Sequence, residues 1–234
     1  LTLLSICIDA ADQTGQRRPA SVIGNQDPVI QQFLNYAQIE GKRLPTRGEW
    51  QGLRTPSSFT SLASEVQTGM VPADLARFIN ETFWNRARKR PLMGPVTPQQ
   101  WQNIKAWTTS PVQDTFTVYG SDIYVTPAPP AGQEFAFEYI SSNFCKSAGG
   151  TLQSQWLADT DIARIPDEIF SLGIAWRYLE KVGQGRAAAL KAEYELRIKQ
   201  LLLDDKPRRK ISLAESQEYG RYPGIVVPEG YWNP

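Results

Sequence analysis

Histidine is absent from the chain. That removes the commonest general base and the commonest metal ligand. Ser–His and Cys–His nucleophilic sites are impossible within the chain, and only carboxylate or lysine chemistry stays formally open. Cysteine is scarce, with Cys7 and Cys145 alone. Two cysteines give no disulfide framework, and Cys7 sits in an apolar helical register, which predicts a buried free thiol. No stretch of eighteen consecutive apolar residues occurs, so no membrane span is expected. Leu1 to Ala11, with Asp9 and Asp12 close by, is too short and too acidic for a secretion signal. The net charge of +1 argues against a strongly basic nucleic-acid binder. Walker-type glycine loops, zinc spacings and dinucleotide fingerprints are also missing, and "KSAGGT" lacks the glycine spacing and lysine position of a phosphate loop. No cofactor, catalytic residue or metal ligand is expected.

What is present is a core. The 234 residues are 41% apolar, enough for one large or two modest domains. Leu1, Leu4, Ile8 and Ala11, with Cys7 beside them, form the apolar face of a first helix. A linker, "GQRRPASVIGNQD", follows. Asp27-Pro28 caps a second helix that buries Ile30, Phe33, Leu34, Tyr36 and Ala37, and Gly41 and Pro45 are expected to end or kink it. From Thr55 the pattern turns to strands. "FINETFWNR" alternates as one strand, and "TPQQWQNIKAW" is a short helix capped by Thr97-Pro98 that presents Trp101 and Ile104. "TFTVYG" and "DIYVTPAP" form a hairpin around Gly120-Ser121-Asp122. "QEFAFEYISS" puts Phe135, Phe137 and Tyr139 on one face.

After Gly149-Gly150 the helical period returns. Ile165, Ile169, Leu172, Trp176 and Leu179 make one seam, with Pro166, Asp167 and Glu168 in the first turn. The last helix, from Arg186 to Leu203, buries Leu190, Tyr194, Ile198 and Leu201. Glu193–Arg197 and Glu195–Lys199 are its expected i,i+4 pairs. The two helices read as an antiparallel hairpin. The fold expected is α+β: a helical bundle from residues 1–54 and 146–205, an inserted antiparallel β-rich domain at 55–145, and an extended C-terminal arm at 206–234.

Two charged clusters invite a functional reading. Asp159, Asp161, Asp167 and Glu168 lack the ligand pattern and sharp glycine turn of a calcium loop, so helix capping accounts for them better. Arg86, Arg88, Lys89 and Arg90 suit phosphate contact, but beside strands they read as a solvated turn that blocks edge pairing. A carboxylate glycan hydrolase needs an acid and a base about 5–10 Å apart, and the sequence singles out no such pair. Of the seven tryptophans, Trp50, Trp84, Trp101, Trp107, Trp156 and Trp176 lie in or beside predicted elements, as core or subunit contacts.

The arm is different. Pro207, Pro223 and Pro228 alternate with Gly220, Gly224 and Gly230, which excludes a helix. Yet Tyr219, Tyr222, Ile225, Val226, Val227, Tyr231 and Trp232 are not the composition of a disordered tail. Each large side chain contributes about 1.5–3 kcal/mol when buried, against about 1–2 kcal/mol per residue of backbone ordering. Extended, the arm reaches up to about 90 Å. These terms fit an arm laid along a neighbouring subunit or another protein, the alternative being a strap on its own domain. Its expected partner-binding residues are Arg208, Arg209, Tyr219, Tyr222, Ile225, Val227, Tyr231 and Trp232.

The order helix, linker, helix, β insertion, two helices, arm resembles the head-to-tail adaptor (connector) proteins of tailed bacteriophages, in particular the adaptor family of short-tailed phages such as phage SU10. The likeness is carried by "RPASVIGNQDPVIQQFLNYAQ", "EWQGLRTPSSFTS", "VPADLARFINETFWNRARKRPLMGPVTPQQWQNIKA", "FEYISSNF", "LADTDIARIPDEIFSLGIAWRYLEKVG" and "AEYE". It covers residues 1–203, departs from the family at Gly41 to Pro45, and does not reach the aromatic arm. The resemblance implies a non-enzymatic virion protein at the capsid portal vertex. Such a protein forms a ring of about twelve copies below the portal, with genomic DNA passing through the lumen without sequence-specific binding. By analogy the helical part holds the portal and the β unit faces the tail nozzle or tail fibres. Another tail-completion or nozzle-associated virion protein is the alternative.

Overall fold

Thr2 opens helix α1 (Leu3–Thr14) by accepting the Ser5 N–H on its hydroxyl, and Gly15 closes it in the left-handed conformation. In the computed structural model, which describes residues 1–106 and 113–205, helix α2 spans Pro28–Arg47. The strands β1 (Arg54–Thr60), β2 (Val66–Gln67), β3 (Leu75–Phe78), β4 (Trp84–Asn85) and β5 (Arg90–Pro91) come next. Helix α3 (Pro98–Ala106) precedes β6 (Thr115–Tyr119), β7 (Asp122–Thr126) and β8 (Glu134–Ser141). Three short strands, β9 (Cys145–Lys146), β10 (Leu152–Gln153) and β11 (Ile162–Ala163), lead to α4 (Asp167–Val182) and α5 (Ala187–Asp204). The architecture is α+β, as expected, and all strand pairs are antiparallel. The arm, with all eight of its expected binding residues, and Trp107 lie outside the described residues.

Helix α4 is the axis of the helical part and packs against α1, α2 and α5. It buries Ile169, Phe170, Ile174, Ala175, Trp176, Tyr178 and Leu179, more than one face, whereas the expected seam member Leu172 is only half-buried. The buried face of α1 is Leu3, Ile6, Cys7, Ala10, Ala11 and Thr14, which keeps Ala11 and the adjacent Cys7 of the expected face but not Leu1, Leu4 or Ile8. The amides of Leu3 and Leu4 donate to the carbonyls of Asp161 and Asp159, at 2.9 and 3.2 Å. That contact docks the start of α1 and selects which of two overlapping apolar stripes turns inward.

Helix α2 runs on through Gly41 and Pro45, so neither residue ends it. At Gly41 a Cβ would overlap the Phe144 ring, so glycine serves close packing there and not termination. Pro45 falls in the last turn, so the bond that its missing N–H would make to the Gly41 carbonyl is lost only two residues before the helix ends. Trp50 Nε1 donates to the Leu44 carbonyl at 2.8 Å and serves one of the helix's terminal acceptors. On α5 the expected i,i+4 pairs give way to partners on other helices. Arg197 bonds Glu168 at 2.8 Å and Glu195 bonds Arg47 at 2.9 Å. An exposed i,i+4 pair is worth only about 0.2–0.5 kcal/mol, so tertiary geometry decides.

Strand β8 organises the largest sheet, in the order β1-β8-β4-β5, with β3 also paired to β8. The run 78–86 is not one strand. β3 pairs the C-terminal half of β8 (Phe78↔Tyr139) and β4 its N-terminal half (Trp84↔Ala136). Between them the chain turns through Glu81, at φ 64°, and Thr82, whose hydroxyl donates to the Ile79 carbonyl at 2.7 Å. The β6–β7 hairpin forms as the sequence suggests, closed by Tyr119↔Asp122 around Gly120-Ser121, with β2 on its far side. One core joins the helices with Trp50, Phe144 and Trp156. A second holds Phe83, Leu92, Phe116, Ile123, Val125, Phe135, Phe137 and Tyr139. Trp101 and Trp176 are buried as well, and Trp84 is half-buried. Among the described residues no helix is long and apolar enough to cross a membrane.

Candidate functional site

A cleft of about 660 Å³ lies in the β unit, between the turn at Asn80-Glu81, the segment 93–96 and α3. Three bonds pin segment 93–96 along β6. Met93 N–H donates to the Asp114 carbonyl at 2.9 Å, Phe116 N–H to Met93 at 2.9 Å, and Val96 N–H to Phe116 at 3.0 Å. Gly94 is required here, because a Cβ would run into the Phe116 carbonyl. Helix α3 forms the other wall and is fixed by a reciprocal cap. The Thr97 hydroxyl accepts the Gln100 N–H at 3.3 Å, and Gln100 Oε1 accepts the Thr97 N–H at 3.0 Å. The lining is apolar at Met93, Pro95, Val96 and Ile104, and among the described residues Glu81 is its one titratable group. Met93 stands 52% exposed at the rim. A lining of this kind suits apolar groups.

Asp74 braces the end of the β unit that adjoins the helical part. Its carboxylate accepts from the Tyr139 hydroxyl at 2.8 Å, the Ser141 hydroxyl at 2.6 Å and Asn143 Nδ2 at 3.2 Å, and its carbonyl accepts the Ser142 N–H at 2.7 Å. Burial, then the Asp74 carboxylate, pushes the Tyr139 phenol up to about 12. Arg164 donates to the Asn143 carbonyl at 2.7 Å and closes the junction. Within the helical part, Glu40 is fully buried and takes bonds from Arg177 on α4 and Tyr194 on α5. Both nodes are structural.

The charged clusters resolve in the same way. Arg86 pairs with Glu134 at 2.7 Å and Arg88 with Asp114 at 3.5 Å around the β4–β5 turn. The Asp159 carboxylate accepts the amides of Val22 and Ile23, and buried Asp161 accepts those of Leu157 and Ala158. These two side chains therefore fix the linker and their own loop, not helix ends as expected. Only their carbonyls reach α1. Asp167 and Glu168 do lie in the first turn of α4. No group of three or more Cys, Asp or Glu able to hold a metal occurs among the described residues.

Both cysteines are free and buried. Burial, helped at Cys7 by Asp159 and at Cys145 by Asp161, pushes each thiol up to about 12. At pH 8 only about one thiol in ten thousand is then thiolate. The folded protein is expected to resist iodoacetamide at pH 8 and to take up two labels in denaturant, a count read by intact mass. Fast labelling of the native chain would contradict the burial. Because the folded values lie above the ordinary 9.0, both thiols stabilise the fold fully below about pH 9. That contribution is lost as pH climbs towards 12.

No family model matches the chain, and no curated protein matches it.

Proposed function

We propose that the chain is a structural virion protein, a head-to-tail adaptor that forms a ring of about twelve copies between the portal and the tail nozzle or fibres. Genomic DNA passes through the central channel of that ring. The observation that carries the reading is topological. Helices from the two ends of the sequence, α1 and α2 with α4 and α5, share one core, and the β unit is inserted between them. That is the order in which the family-like sequence segments fall. In this role the helical part holds the portal, and the β unit presents its apolar cleft towards nozzle or fibre proteins. The arm docks on the portal or an adjacent copy through Tyr219, Tyr222, Ile225, Val227, Tyr231 and Trp232, with Arg208 and Arg209 at its root.

The test is the mass of complexes formed with the portal protein of the same genome, using the full chain and a chain ending at Lys206. The full chain is expected to add a ring-sized number of copies, and the shortened chain to lose most of that binding. Equal binding by both would move the docking role from the arm to the helical part. Binding by neither would remove the adaptor reading.

A further inference from the structure

Helix α5 is apolar on two opposite faces. Leu190, Tyr194 and Ile198 are buried in the helical core. Ala189, Ala192, Leu196 and Leu203 fall on a second stripe with heptad spacing, and all four are exposed, Leu196 at 57% and Leu203 at 69%. Glu193 and Lys199 flank Leu196 by one turn on either side. Both are exposed, and neither has an ion-pair partner among the described residues, unlike Glu195 and Arg197 beside them.

We propose that this stripe is a self-association face, through which two copies of the free chain pair α5 against α5, antiparallel, about a two-fold axis at Leu196. In that arrangement a residue after Leu196 meets one equally far before it on the other copy. Lys199 then meets the partner's Glu193, and the large Leu203 meets the partner's small Ala189. Leu196 packs on its own copy. A parallel pair would set lysine on lysine and glutamate on glutamate, so charge and size both select the antiparallel register. The contact is isologous, joining one patch to itself. A closed ring of rotated copies joins two different patches. The pairing therefore goes beyond the ring reading, does not rest on it, and belongs to the chain before assembly.

A contact of one helix from each copy is small, so it belongs to the weak, concentration-dependent class. Sedimentation equilibrium of the full chain from about 1 to about 500 µM covers the range in which such a contact titrates. A monomer–dimer equilibrium is expected. Leu196→Glu should weaken it roughly tenfold or more, since each dimer loses two central apolar contacts. Glu193→Lys and Lys199→Glu should each weaken it, and an equimolar mixture of those two variants should restore dimers, because opposite charges then meet across the mixed pair. All these positions are exposed, and unchanged far-UV circular dichroism confirms that the variants remain folded. A wild-type chain that stays monomeric throughout overturns the proposal. So does a dimer or larger species indifferent to Leu196→Glu, or a mixture that associates no better than either single variant.

Discussion

Replacing Glu40 by alanine is expected to lower stability by about 3–5 kcal/mol, the usual consequence of removing one partner from a buried ion pair. Glu40 has no exposed surface. Arg177 Nε donates to Oε1 at 2.5 Å, and the Tyr194 hydroxyl donates to Oε2. Gly173 makes room for the side chain, since a Cβ there would lie 2.8 Å from Glu40 Cγ. One carboxylate thus links α2, α4 and α5. The alanine variant leaves a guanidinium without its countercharge and a buried hydroxyl without its acceptor, and it opens a cavity. The π face of Trp176, 4.4 Å from the Arg177 guanidinium, offsets only part of this. Replacing Glu40 and Arg177 together by methionine should recover much of the loss, because the uncompensated charge is gone. Urea midpoints at constant slope measure both effects. A Glu40→Ala loss below about 1 kcal/mol would mean that the network relaxes freely onto water.

The signals that proved readable were local ones. Asp27-Pro28 caps α2 because a carboxylate and a ring-locked φ suit the first turn, and the Val29 N–H bonds the Asp27 carboxylate at 2.8 Å. Gly120 makes the β6–β7 turn at φ 62°. The alternation of Phe135, Phe137 and Tyr139 places three rings in one core. Signals that depend on distant neighbours misled. Gly41 reads as a stop until the Phe144 ring, from a remote segment, is seen against it. The buried face of α1 is set by the carbonyls of Asp159 and Asp161. Glu40 did have a local signal, unused: Ile30, Phe33, Ala37, Glu40 and Leu44 recur at intervals of three and four, which puts a glutamate in the apolar seam. The cleft had none, since its walls come from three separated segments.

Truncating Phe83 to alanine is expected to cost about 3–5 kcal/mol, the range for a large aromatic in a packed core, and to do so in only half of the molecule. The Phe83 ring lies 4.5 Å from Phe116, 5.1 Å from Phe137, 6.0 Å from Phe135 and 6.1 Å from Phe59, centroid to centroid. It is the hub of the second core and has no place in the first. β8 crosses from one core to the other between Tyr139 and Ile140, beside the Asp74 junction. Hydrogen exchange in the variant should therefore quicken in β6, β7 and the Phe135–Tyr139 part of β8. The amides of α1 and α4 should keep nearly their original protection, because their apolar contacts are untouched. Equal loss in α4 would mean that Asp74 and Ile140 couple the two cores into one cooperative unit. A sparing of α4 would make the β unit the less stable element. In the proposed adaptor, the surface turned towards the tail could then rearrange while the bundle held on the portal stays folded.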